Sequence, residues 1–164
     1  MLILELVKGF LITMDLKSLN NSIMPFDQFP IHWRFDDDSW NQLNQIHLDQ
    51  IKPMTPQASN FLWNYSSEIT KNLMEGKNFN YFRAINTEDE TIKKWLFHTG
   101  LAFQKDIYVV WQPDIAVSTN WKIFVKFFDD FYYSSDEISI FDNSLNWGLY
   151  IHRGRVVFGS NIHD

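Results

Sequence analysis

Cysteine is absent from the chain. Its absence removes a disulfide framework, a thiolate-held zinc site and a thiol nucleophile. Glycine and proline are sparse, at six and five residues. The scattered glycines make no phosphate-cradling loop, and no serine sits in a G-x-S-x-G elbow. Positive charge is in deficit: 14 Lys and Arg stand against 20 Asp and Glu, a formal net charge of −6. That sign opposes nonspecific attachment to nucleic acid or to an anionic membrane surface. The apolar stretch MLILELVKGFLIT at residues 1–13 falls short of the roughly 20 residues that a membrane helix needs. It holds Glu5 and Lys8 and lacks the basic start and small-residue cleavage pattern of a secretory signal. A soluble protein of the reducing cytoplasm is the expectation.

Aromatic residues are abundant: 15 Phe, 7 Trp and 6 Tyr make up 17% of the 164 residues. Each such ring can bury about 150–250 Å², and a chain of this length supports one domain with its own core. Residues 29–164 read as a single α+β domain. Residues 1–28 read as an N-terminal extension, either docked on that domain or lying ahead of a true start at Met14 or Met24.

Periodicity places the elements. Residues 29–35 alternate, with Ile31, Trp33 and Phe35 on one side and His32 and Arg34 on the other, which predicts a half-buried strand. Asp36, Asp37, Asp38 and Ser39 then offer caps for a helix through Leu48 that buries Trp40 and Leu43. Thr55-Pro56 is a strong helix start, and Ala58, Phe61, Leu62, Tyr65, Ile69 and Leu73 recur at helical spacing as far as Met74, with Gly76 as terminator. Residues 79–85 fit a short strand or an anchored loop. Thr87 and Glu90 resemble a capping box for a helix burying Ile92, Trp95 and Leu96.

The apolar run IYVVW after Asp106 predicts a central strand buried on both faces. Thr119 is positioned to cap a helix with Trp121, Phe124, Val125 and Phe128 on one stripe. In the C-terminal third, residues 137–141, 147–152 and 156–159 form a meander with a tight turn at Arg153-Gly154. The expected fold is therefore an antiparallel sheet, the C-terminal meander plus the central strand, with about four helices packed mainly on one face.

Motifs that carry chemistry are missing, and no cofactor is implied. His32, His47, His98, His152 and His163 show no metal-ligand spacing, so no catalytic or metal-binding residue is assigned. The acidic segments stand out instead. Asp36–38 is one. The other runs from Asp129 to Asp142 without a single Lys or Arg, and Phe131, Tyr132 and Tyr133 are interleaved with its carboxylates. Tyrosine is a preferred interface anchor and carboxylates steer basic partners. Asp129, Asp130, Tyr132, Tyr133, Asp136 and Glu137 are therefore the candidate partner-binding residues. Tyr150, His152 and Arg153, on or beside the other sheet face, form a secondary patch.

Two stretches resemble known proteins. Residues 40–63, with Ile51-Lys52-Pro53-Met54 followed by Ser59 and Trp63, are similar to a segment of small bacterial proteins of unknown function. Residues 121–159 carry Trp121-x-x-Phe124, Phe128-Asp129-Asp130-Phe131, Ser135-Asp136, Ile140-Phe141, Trp147, Tyr150-x-His152 and Phe158-Gly159. They resemble the C-terminal half of small acidic bacterial proteins, some of which look like immunity proteins that neutralise a toxin. The resemblance implies a basic protein partner and carries over no catalytic residue.

Three functions remain open on these residues. The first is a non-enzymatic protein-binding domain, an immunity-like inhibitor of a toxin. The second is a hydrolase or metal-dependent enzyme assembled from distant histidines and aspartates. The third is an oligomerising module that uses the apolar N-terminus. The sequence fixes no oligomeric state.

Overall fold

The structure is a computed structural model that describes the backbone of residues 3–7 and 10–161 and the side chains of residues 15–161. Two strands, β1 (Ile3–Val7) and β2 (Phe10–Met14), pair antiparallel as a separate hairpin. Helix α1 (Trp33–Asp36), strand β3 (Asn41–Gln42), helix α2 (Gln45–Leu48) and strand β4 (Lys52–Pro53) are all short. The expectation fails here in both halves. Of the alternating residues 29–35, 29–32 form a bend and turn and 33–35 already belong to α1, and residues 36–42 fold back through bridges Asp36↔Gln42 and Asp37↔Asn41 rather than continuing as a helix. Asp37 takes hydrogen bonds from the backbone N–H and hydroxyl of Ser39. This local competitor to helix is the reason the aspartates close a turn instead of opening a helix.

Helix α3 (Pro56–Glu75) spans 20 residues. The Thr55 hydroxyl accepts from the Ala58 N–H, Pro56 fills the first turn, and Gly76 terminates it at φ 64°, where the absence of a Cβ removes the steric cost. Strand β5 (Tyr81–Asn86) and helix α4 (Ile92–Phe97) follow. The expected Thr87–Glu90 box does not form. Asp89 instead accepts from the Thr91 N–H and hydroxyl, so the helix starts later.

Strands β6 (Asp106–Gln112) and β7 (Ile115–Asn120) make a hairpin around Pro113-Asp114. The sequence reading passed over β7. Its last residue, Asn120, caps helix α5 (Trp121–Lys126) by accepting from the Ile123 N–H. Helix α6 (Phe128–Phe131) and strands β8 (Ile138–Phe141), β9 (Trp147–His152) and β10 (Arg155–Ser160) complete the chain. The β9–β10 turn has positive φ at both Arg153 and Gly154, the geometry that matches strand twist in a two-residue hairpin.

Seven strands form one antiparallel sheet in the order β4-β7-β6-β8-β9-β10-β5. The fold is α+β. Strand alternation divides the core in two. Ile107, Val109, Trp111, Trp147, Leu149, Val156 and Phe158 point to one face, where the five short helices lie. Tyr108, Val110, Phe141 and Tyr150 point to the other, covered by α3 through Phe61, Leu62, Tyr65, Ile69 and Leu73. Gly148 and Gly159, paired across β9–β10, lie beneath α3. A Cβ at Gly159 would come within 2.7 Å of Leu73 and 2.8 Å of Phe79, so the close seat of the helix depends on their lack of side chains. Among the described residues no helix is long and apolar enough to cross a membrane.

Candidate functional site

The two acidic segments, far apart in sequence, meet where α1 packs against α6. Arg34 joins them. Its Nη1 donates to Asp136 Oδ2 at 2.6 Å and its Nη2 to Oδ1 at 3.1 Å. This bidentate pair is strong and direction-specific. Both side chains are largely buried, at 8% and 14% exposure. Asp136 also accepts from the Tyr133 N–H at 2.9 Å, which closes the 133–136 turn and fixes the Tyr133 ring. The Arg34 guanidinium lies 4.1 Å from the centre of that ring and 5.7 Å from that of Trp33, within cation–π range.

Three rings surround this clamp. Trp33 meets Tyr133 edge-on at 5.8 Å, and Trp40 donates from Nε1 to the Tyr133 hydroxyl at 3.2 Å. Trp33 is 40% exposed and Trp40 68%, the reverse of the inward positions the sequence assigned to them. Arg34, assigned outward, is 7% exposed. The signal that could have revealed the inversion is Asp136. An arginine next to rings, with an unpartnered carboxylate elsewhere in the chain, can satisfy its charge in the interior.

Acidic groups flank the rings. Asp129 is exposed and lies 3.0 Å from Lys93. Asp130 accepts from Asn41 Nδ2; burial raises its pKa, Asn41 and Lys93 oppose that shift, and Asp129 adds to it. The hydrogen bonds from Ser39 hold half-buried Asp37 below the usual carboxylate range. On the far side of α1, His32 Nδ1 sits 2.8 Å from Asp36 Oδ1.

The six partner-binding candidates therefore separate. Asp129, Asp130 and Tyr133 line the patch. Asp136 lies beneath it, spent on Arg34. Tyr132 is buried against Phe128. Glu137 turns away, with its carboxylate 2.8 Å from His152 Nδ1 and accepting from the Tyr150 hydroxyl at 3.1 Å. It thus joins the residues expected as a secondary patch, but α3 covers that sheet face: Tyr150 is buried, and its ring stacks 5.6 Å from that of half-buried His152. Burial, then the charge of Glu137, pushes the Tyr150 hydroxyl up to about 12. Arg153 is exposed at the adjoining turn.

The remaining histidines engage separate neighbours. His47 packs edge-on against Phe127, and His98 Nδ1 lies 2.6 Å from the Lys94 carbonyl. His163 lies outside the described residues. Among the described residues no three His, Asp or Glu side chains gather as a metal-binding group. A polar cavity of about 330 Å³ between β6 and residues 16–20 contains the Lys105–Asp142 pair at 3.0 Å. Burial alone would raise Asp142, but the Ser144 hydroxyl, Trp147 and Lys105 together outweigh it and hold the carboxyl below its usual range.

Compared with protein-family models, with curated proteins and with solved structures, the chain matches none. The functional reading therefore rests on the surface itself.

Proposed function

We propose that this chain is a non-enzymatic protein-binding domain that meets a basic partner through the Trp33–Trp40–Tyr133 surface. In line with the resemblance to immunity-like bacterial proteins, the role is inhibition of a basic toxin in the cytoplasm. The observation that carries the reading is three partly exposed rings held by one buried Arg34–Asp136 pair. Rings at a protein surface lose solvent on contact at little entropic cost when they are already fixed, and tryptophan and tyrosine dominate binding energy at interfaces. Asp37, Asp38 and Asp129, the last shared with Lys93, put acidic charge on the two segments that carry these rings, and such charge accelerates encounter with a positive surface.

The test offers the immobilised protein and its variants to the basic proteins of its host, followed by association kinetics on what is retained. Trp40→Ala is expected to weaken binding roughly 30-fold, the loss of one interface anchor. The triple variant Asp37→Asn, Asp38→Asn, Asp129→Asn is expected to slow association and flatten its salt dependence while leaving dissociation near the original rate. A partner held equally well by Trp40→Ala and by the triple variant at every ionic strength would place the interface elsewhere.

A further inference from the structure

We propose that the open edge of the sheet along β5, with the groove beside it, is a second interaction surface that receives an extended acidic segment of a partner protein. It is opposite in charge to the Trp33–Trp40–Tyr133 surface and independent of it.

The two edges of the sheet are built differently. Edge strand β4 is two residues long, ends in Pro53 and is itself covered: the Met24 N–H donates to the Pro53 carbonyl, the Thr55 N–H donates to the Ser22 carbonyl, and Ile23 bridges Met54. Shortness, proline and a covering segment are the usual ways of closing an edge to further pairing. Edge strand β5 has none of them. It pairs with β10 along all six residues and has no strand on its other side among the described residues. It contains neither proline nor glycine, and none of its residues is buried. Its one charge, Arg83, is drawn inward: Nη1 donates to the His98 carbonyl at 3.0 Å, and the guanidinium lies 5.1 Å from the Trp95 ring. The residue that would repel an incoming strand is turned aside.

The sheet face next to that edge is also uncovered. Helix α3 lies over β6 to β9, reaches β10 and ends at Gly76. A groove of about 540 Å³ remains between its last turn and β5, lined by Leu73, Met74, Phe82, Ala84, Val157 and Arg155. Met74 is 61% exposed. A strand added to β5 would gain main-chain hydrogen bonds along the edge and set alternate side chains into this apolar floor, the β-augmentation mode of recognition. Charge selects the occupant. Glu75 at the rim is paired with Lys77 at 3.3 Å, whereas Arg155 is exposed and forms no ion pair among the described residues. An incoming carboxylate complements it. A second copy of the chain would bring its own Arg155 to the seam, where like charges oppose the match.

The probe is a library of peptides about eight residues long, the length of an ordinary strand, apolar at alternate positions and varied among Asp, Glu, Lys, Arg and Ser at the rest. It is selected on the full chain. Enriched peptides are expected to be acidic and to slow amide exchange at residues 81–86. Ala84→Glu on the strand and Met74→Glu on the helix, both at exposed positions, are each expected to weaken them at least tenfold, and Arg155→Glu to shift enrichment towards basic peptides. The proposal is overturned if no peptide enriches, if the enriched set is basic, if both Glu variants bind unchanged, or if residues 81–86 become protected on raising protein concentration without peptide. None of these outcomes involves Trp40 or a basic partner, so the test stands apart from that of the first surface.

Discussion

The two faces of the sheet are built by different means. One is covered by a single helix of 20 residues, the other by five helices of four to six residues each. Among the described residues the buried rings divide unequally, ten on the short-helix face and five on the α3 face. The reason is physical. A long amphipathic helix brings its own regular stripe and buries it in one step. Four-residue helices are not stable alone, so each must be pinned by a large side chain that contacts others far away in sequence. Phe35 meets Phe131 at 4.9 Å, Phe131 stacks on Trp111 at 6.0 Å, and Phe124 meets Phe128 and Phe131 at 5.9 and 5.4 Å. The Trp111 Nε1 donates to the Phe131 carbonyl at 3.0 Å, tying α6 to the sheet. The partly exposed rings of the candidate surface are the outer margin of this ring network.

The largest expected effect tests that contrast directly. Phe124 is fully buried between α5 and α6, against Phe128 and Phe131. Phe124→Ala is expected to cost about 3–5 kcal/mol in urea unfolding, the range for a buried phenylalanine with incomplete collapse of the cavity. Because α1 and α6 depend on that network, the variant should also lose the near-UV signal of Trp33 and Trp40. A cost under about 1 kcal/mol would mean that the short helices are held by something other than their rings.

A smaller effect separates packing from charge. Arg34→Met leaves Asp136 partly buried without its cation, and a loss of roughly 2–3 kcal/mol is expected. The double variant Arg34→Met, Asp136→Leu removes both charges, and it should recover most of that loss, because well-packed apolar replacements of an ion pair are often neutral. Tyr133 loses its anchor in either case. Partner binding should therefore remain impaired in the double variant although stability returns. Full recovery of both would show that the clamp has no part in shaping the surface.

The same contrast explains what could be read in advance. Helix α3 and strands β6, β9 and β10 were legible because their signals are local: Thr55-Pro56 with Gly76, the IYVVW run, and the alternation and Arg153-Gly154 turn of the C-terminal hairpin. Residues 29–48 were misread because local pattern and tertiary demand conflict there. Ile31, Trp33 and Phe35 alternate like a strand, but only Phe35 is fully buried and Ile31 packs at the core margin, since Arg34 must turn inward to reach Asp136, 102 positions later. Of the candidate surface, Asp129, Asp130 and Tyr133 could be named from the acidic run. Trp33, Arg34, Trp40 and Asn41 could not, because nothing local pairs them with residues 130–136.

The smallest expected effect concerns two carboxylates whose folded pKa values move in opposite directions. Asp142 has a folded pKa below its ordinary value. It contributes stability that is fully present above the unfolded value, near 3.9, and is lost as pH falls through the folded pKa. Asp130 has a folded pKa above its ordinary value, chiefly through burial. Its sign is opposite: the folded state binds its proton more readily, so stability declines as pH rises through the folded pKa and neutral pH carries the penalty. Asp130→Asn removes that penalty and retains an acceptor for Asn41. It should raise stability at pH 7 by less than about 1 kcal/mol, the scale of a partly exposed substitution, and leave stability unchanged below the ordinary carboxylate pKa. The acid limb governed by Asp142 lies below that value and should keep its slope. Urea midpoints measured from pH 7 down to pH 3 read both regions. An Asp130→Asn protein less stable than the parent at pH 7 would show that the charge on Asp130, rather than its burial, is what holds residues 36–42 against α6.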